Sequence, residues 1–301
     1  MSVSQISFED RVAVVTGAGG GLGRAYALDL AGRGAKVVVN DLGGAAAEAV
    51  VAEIAAAGGT AVASVESVAE EAGAARIVES ALREFGRLDV LVNNAGILRD
   101  RSFLKLQTED VDAVLGVHLR AAFAVTRPAF AAMKEAGYGR IVFTTSSVGL
   151  FGNFGQANYA AAKMGLVGLA RALAVEGARS GIGVNVVAPS AATAMTGEMF
   201  GPIAERFGAE LVAPMTIYLA SEECTETGQI YWAGGGRFAR VAISQAAGWV
   251  APSADVTAED VRDHLDAIDD MANAFTPRDA MDELGRVLAE LGLEMPIGGA
   301  R

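Results

Sequence analysis

The chain has 301 residues, 52% hydrophobic and 20% charged, enough for one large α/β domain with an appendage or for two small domains. A formal net charge of −12 argues against nucleic acid or an anionic membrane surface as partner, since both need basic patches. The single cysteine, Cys224, excludes an internal disulfide and leaves no cysteine cluster for a metal.

The N-terminus lacks a basic segment followed by a long apolar stretch, and no apolar run approaches the roughly 18–20 residues of a membrane span. The final Gly-Gly-Ala-Arg is not a peroxisomal address. The expectation is a cytoplasmic protein with a small-molecule substrate and no metal, membrane or nucleic-acid partner.

Residues 11–17 (RVAVVTG) read as a first strand, 22–33 as a helix and 35–41 (AKVVVND) as a second strand. Residues 48–57 are helical, 60–65 extended and 74–85 helical; 88–93 form a fourth strand, and 111–134 carry a long helical pattern. A fifth strand at 140–146, a helix at 159–178 and a sixth strand at 183–188 complete the alternation. Continuous apolar strands, each followed by a helix, predict an α/β fold with a doubly wound parallel sheet. After residue 236 the texture becomes acidic and helical, with no strand signal. Residues 256–274 and 276–293 read as helices, the first capped by Thr257, the second by Thr276 ahead of Pro277. Val261, Leu265 and Ile268, then Leu284, Val287, Leu288 and Leu291, give apolar stripes. The division expected is therefore 1–236 as the catalytic domain and 237–301 as a helical extension packed on it.

Between the first strand and helix stands Thr16-Gly17-Ala18-Gly19-Gly20-Gly21-Leu22-Gly23. Glycines there let the backbone turn tightly and approach a pyrophosphate at the helix N-terminus, although any tight turn can be written in glycine. Gly17, Gly21, Leu22 and Gly23 are the candidate contacts. Asp41 follows Gly17 by 24 positions, at the end of the second strand. Its carboxylate would accept from adenosine ribose hydroxyls and repel a 2′-phosphate, and neither Ala18 nor Asn40 offers that phosphate a cation. NAD is thus expected rather than NADP. Ser67 and Val68, after the third strand, join the cofactor candidates. Asn93-Asn94-Ala95-Gly96 closes the fourth strand, where asparagines could simply end it or line a ligand.

Ser146 ends the fifth strand, Tyr159 follows 13 positions later, and Lys163 lies four residues beyond. Positions i and i+4 share one helix face, so phenol and ammonium can converge. A tyrosine titrates near ~10, and lowering it by about two units takes roughly 2.7 kcal/mol, which a nearby cation in a water-poor cleft can supply. Tyr159 then acts as general base toward an alcohol or general acid toward a ketone, with Ser146 holding the substrate oxygen. Tyr-x-x-x-Lys alone would equally suit a core tyrosine and a surface lysine.

These four ordered motifs, spread over residues 8–235, resemble the short-chain dehydrogenase/reductase family, whose fold is Rossmann-like. The resemblance implies that Ser146, Tyr159 and Lys163 are catalytic, that Lys163 also binds the nicotinamide ribose, that Asn94, Ala95 and Gly96 line NAD, and that Pro189 to Thr193 embrace the nicotinamide amide. Where the family usually carries asparagine in the helix after strand four, this chain has His118, here expected to join a proton relay through Lys163. Residues 39–44, 93–103, 117–120 and 151–159 resemble a narrower group: the (3R)-hydroxyacyl-CoA dehydrogenase domains of peroxisomal multifunctional enzymes of type 2, also called 17β-hydroxysteroid dehydrogenase type 4. The segment 43–48 is shorter than in that group.

The resemblance implies oxidation of a (3R)-hydroxyacyl-CoA, steroid-derived or not, by a homodimer or homotetramer built on residues 111–134 and 158–178. Arg99, Arg101, Arg237 and Arg240 are candidates to meet CoA phosphates, and Met195, Met199, Phe200 and Phe207 to form an apolar lid. The alternatives are a hydroxysteroid or other apolar-alcohol dehydrogenase and, from a different class, an NAD-binding regulatory protein.

Overall fold

A computed structural model describes residues 5–194 and 200–294. The chain divides into two compact units, Met1–Arg240 and Val241–Arg301. The first is built on eight strands: β1 (Val12–Thr16), β2 (Lys36–Asn40), β3 (Thr60–Ser64), β4 (Val90–Asn93), β5 (Gly139–Thr144), β6 (Ile182–Ser190), β7 (Ile230–Gly234) and β8 (Arg237–Val241). Their order is β3-β2-β1-β4-β5-β6-β7-β8, with β1 to β7 paired in parallel. The order reverses between β1 and β4, and a doubly wound sheet opens its ligand crevice at the carboxyl ends beside such a reversal.

The inner strands read as unbroken apolar runs because both their faces are covered. Ala13 and Val15, Val37 and Val39, Val90 and Val92 share one cluster with Tyr26, Leu30, Val50, Ile54 and Ile217. Val14, Val38 and Leu91, one residue out of phase, are equally buried. Helices α1 (Gly21–Gly32), α2 (Gly44–Ala56) and Ala213–Ala220 belong to the first layer; α3 (Glu71–Phe85), α4 (Thr108–Leu115), α5 (Ala121–Ala136) and the long helix Ala157–Gly177 pack among themselves.

The long helical pattern at 111–134 is interrupted. Gly116–Arg120 forms a π-turn between α4 and α5, and its extra residue rotates His118 inward. Strand β8 is a correction to the expectation of no strand after residue 236. The turn that makes it is Gly235-Gly236, with φ of 56° and 76°, the left-handed pair that a two-residue hairpin requires.

In the second unit the expected helices are shorter. Thr257 does cap its helix, accepting from Asp260 N while Asp260 accepts from Thr257 N. The helix then covers only Ala258–Asp263, with a further turn at Leu265–Ile268, because Asp270 turns the chain by accepting from Ala272 N. Phe275 pairs with Gln245 in an antiparallel bridge and Thr276 bonds the Ser244 hydroxyl, so the residue expected to start the last helix is held extended. That helix runs Ala280–Glu290 instead, and Asp279 caps it by accepting from Met281 N and Asp282 N. No residue described in 241–294 is fully buried.

Candidate active site

The glycine loop between β1 and α1 is shaped by close approach. Gly17 has φ of +62°, and a Cβ on it would stand 2.8 Å from the Ala95 backbone; one on Gly23 would stand 2.2 Å from the Gly17 carbonyl. Thr16, fully buried, accepts from the backbone N–H groups of Asn94 and Ala95, and the Asn94 amide donates back to the carbonyls of Thr16 and Gly17. The asparagine expected to line a cofactor thus spends its amide bracing the loop. Gly21, with φ of +52°, faces the Thr193 side chain. Asp41 accepts from Gly19 N at 3.0 Å and Gly43 N at 2.9 Å, which places its carboxylate at the edge of the loop. Behind it Asn40 donates to the carbonyls of Ser64 and Glu66, tying β2 to the chain leading to Ser67 and Val68.

This cradle fits a dinucleotide. The first turn of α1 presents N–H groups without intrahelical partners, the glycines leave room a side chain would fill, and an acidic side chain stands where a ribose would lie.

Across the crevice, Ser146 follows β5 and caps the short helix Ser147–Phe151 by accepting from Val148 N. Tyr159 and Lys163 sit one turn apart on Ala157–Gly177. Burial pushes the Tyr159 phenol above its ordinary value of 10; its hydrogen bond with Ser146 opposes this and the charge of Asp100 adds to it. Lys163 is 3% exposed, its Nζ donates to the Thr144 carbonyl at 2.6 Å and lies 5.5 Å from the Tyr159 ring centre, and burial pulls its pKa down to about 7. Ser146, Tyr159 and Lys163 therefore form one constellation, a phenol poised between a hydroxyl and an ammonium.

The constellation is set by an outer layer that sequence reading did not reach. Asn158 donates to the carbonyls of Arg99 and Asp110, Gln156 donates to Asp100 at 2.8 Å, and Arg101 N donates to the Gly155 carbonyl. These bonds lash the chain after β4 to the start of the tyrosine helix. Trp232, on β7, donates to the hydroxyl of Ser147. Each links positions far apart in sequence, and the local signal was the three amide side chains Asn153, Gln156 and Asn158.

Among the arginines considered for CoA, Arg101 is paired with Asp110 at 2.8 Å, Arg99 bonds the Leu98 carbonyl, and Arg237 lies over the Trp232 ring. Of the lid residues, Phe200 and Phe207 stack with ring centres 4.7 Å apart, while Met195 and Met199 lie outside the described residues. Among the described residues no group of His, Cys, Asp and Glu is arranged to hold a metal, and no helix is long and apolar enough to cross a membrane.

The sequence matches the short chain dehydrogenase family over residues 11–202. The chain belongs to that family. It is 50% identical over 245 residues to a short-chain type dehydrogenase/reductase of Mycobacterium tuberculosis, covering 78% of this chain and 86% of that protein. It is 46% identical over 300 residues to the peroxisomal multifunctional enzyme type 2 of Mus musculus, covering 96% of this chain but 40% of that protein. The structure of the full-length peroxisomal multifunctional enzyme type 2 of Drosophila melanogaster is similar with a TM-score of 0.81 and 42% identity, over 95% of this chain and 50% of that one. This short-chain dehydrogenase thus spans half or less of the length of these two multifunctional enzymes. As a family member it is an oxidoreductase acting on CH–OH groups with a nicotinamide dinucleotide.

Proposed function

We propose that this short-chain dehydrogenase uses NAD to oxidise a (3R)-hydroxyacyl-CoA to its 3-oxo product. The observation that carries the chemistry is the convergence of Ser146, Tyr159 and Lys163 across the crevice from the glycine loop. The bound nicotinamide would supply the hydride acceptor, held by Gly17–Gly23 with Asp41 toward the adenosine ribose, Lys163 toward the nicotinamide ribose, and Pro189 to Thr193 toward the amide. Ser146 would donate its hydroxyl hydrogen to the substrate oxygen and orient the carbinol. The Tyr159 phenolate would take the hydroxyl proton, and the Lys163 ammonium would favour the charged form of that phenol. In the reverse direction the protonated phenol would return the proton to the carbonyl oxygen.

The substrate reading rests on likeness over nearly the whole chain to proteins named multifunctional enzyme type 2. NAD is favoured over NADP because Asp41, fixed by two backbone donors, brings a negative charge where a 2′-phosphate would lie, and neither Ala18 nor Asn40 is a cation. A comparison of kcat/KM for a (3R)-hydroxyacyl-CoA, its (3S) epimer and a free hydroxysteroid, each with NAD and NADP, tests both readings. Preference for the (3S) epimer or the free steroid overturns the substrate, and preference for NADP overturns the role of Asp41.

Kinship with the family also suggests self-association through α5 and Ala157–Gly177. An open groove of about 470 Å³ runs between them, lined by Phe123, Phe130, Leu169 and Leu173. Light scattering at micromolar concentration should report a dimer or tetramer; a monomer removes this assignment.

A further inference from the structure

The π-turn Gly116–Arg120 carries His118 into the protein, where it is 4% exposed. Its Nε2 lies 2.8 Å from the Ile97 carbonyl and 3.1 Å from Ile97 N, so this ring nitrogen is committed to the backbone of one residue in the chain after β4. The ring lies flush against Gly96: a Cβ there would stand 2.3 Å from His118 Cε1. The same ring meets the Tyr159 ring at a right angle, with ring centres 5.2 Å apart. The remaining nitrogen, Nδ1, is buried without a protein partner. His118 also borders a cavity of about 10 Å³ shared with Thr16 and Asn93, room for one water at most.

A relay would need one ring nitrogen to receive a proton and the other to pass it on toward Lys163. Here Nε2 is held by backbone, and Lys163 Nζ is turned to the Thr144 carbonyl. Among the described residues no hydrogen bond joins His118 to Lys163. The tautomer with Nε2–H makes the shorter of the two contacts, donating to the Ile97 carbonyl at 2.8 Å, and leaves Nδ1 an acceptor. We propose that His118 is a positioning residue rather than a proton carrier: a ring wedged against both Gly96 and Tyr159 that holds the phenol in line with Ser146. Burial and the nearby Lys163 hold the imidazole pKa down to about 3, so the wedge stays uncharged wherever the enzyme works. The groups facing the phenol are then Ser146, Lys163 and, through its charge, Asp100. The proposal concerns the acid/base itself, so any alcohol the enzyme turns over serves to test it, whatever becomes of the acyl-CoA reading.

The wedge needs a ring; a relay needs a polar atom. His118→Phe keeps the first and His118→Asn the second. The wedge predicts that the Phe variant retains more kcat than the Asn variant, which should lose about tenfold to a hundredfold, as misplacement of a reacting group does. KM for both substrates, and the pKa seen in the pH profile of kcat/KM, should hold in the Phe variant. The opposite order, or a shifted pKa in the Phe variant, overturns the proposal. Should the Phe variant fail to fold, Gly96→Ala provides a second route, because the added carbon presses on the same ring. With NAD saturating, Gly96→Ala and His118→Asn should be non-additive in kcat, the double variant being no slower than the worse single one. Multiplying losses would overturn the wedge.

Discussion

Tyr159 and Lys163 are displaced in opposite senses by the same cause. Burial disfavours both charged forms, raising the phenol and lowering the ammonium, and the hydrogen bond with Ser146 pulls the phenol back. Tyr159→Phe would remove the proposed proton acceptor while leaving the glycine loop untouched. Turnover should fall by about 10²–10⁴, with NAD affinity retained in a binding titration; turnover near the native rate would remove Tyr159 from the chemistry. Lys163 makes a separate prediction about stability. Its pKa is about 7 in the folded chain against an ordinary value of 10.5, so between these limits the unfolded chain binds more protons and stability rises with pH. Below about pH 7 the ammonium is charged in both states and its burial cost is fully present. Denaturant midpoints should therefore climb from pH 7 toward 10, and Lys163→Met should flatten that climb. At this scale the sequence made Ser146, Tyr159 and Lys163 legible because two lie one helical turn apart and the third closes a strand. Thr16, Asn40, Gln156 and Asn158 were illegible as braces, since their partners are tens of residues away.

The glycine loop shows what an element can hide behind one letter. Gly20 is extended and a Cβ on it would meet nothing within 4 Å, whereas Gly23 faces the Gly17 carbonyl and the Asn94 amide. Gly20→Ala should leave thermal stability and NAD affinity nearly unchanged. Gly23→Ala should force the loop outward and weaken NAD binding at least about tenfold, equivalent to roughly 1.4 kcal/mol. Equal effects of the two substitutions would show that glycine content rather than close approach governs the site. Strands β1, β2 and β4 to β6 were readable because burial on both faces writes itself as Val and Ile, while β3, at the sheet edge, was readable from its extended Thr-Ala-Val-Ala-Ser run. Strand β7 carries Tyr231 and Trp232 and was passed over, and β8 (Arg-Phe-Ala-Arg-Val) is a largely exposed strand whose polar letters conceal it. In the second unit Thr276-Pro277 read as a helix start, but a backbone bridge at Phe275 outweighed local capping preference. Pairing across thirty residues leaves no mark in a window of ten.

On the scale of the molecule, the two units are stabilised differently. The first has Val, Ile and Ala packed on both faces of its sheet, whereas the described part of the second has no fully buried residue. Among its ties are the Gln245–Phe275 bridge, the Ser244–Thr276 hydrogen bond, Arg286 lying 3.9 Å over the Phe275 ring, and Trp249 stacked on His264. Three of these four meet at one neck, so the segment between Gln245 and Phe275 is a closed loop, and closing it once costs far less entropy than ordering every residue in it. Opening the neck returns that freedom at a single stroke. Amide hydrogen exchange should accordingly find the Gln245 and Phe275 amides exchanging together and more slowly than the amides of residues 246–256, while those of β1 and β4 outlast them all. Arg286→Ala should quicken the neck pair without touching the sheet. With little apolar surface to rehydrate, melting of this unit should carry almost no heat-capacity step, so a calorimeter would register the sheet and scarcely notice the loop.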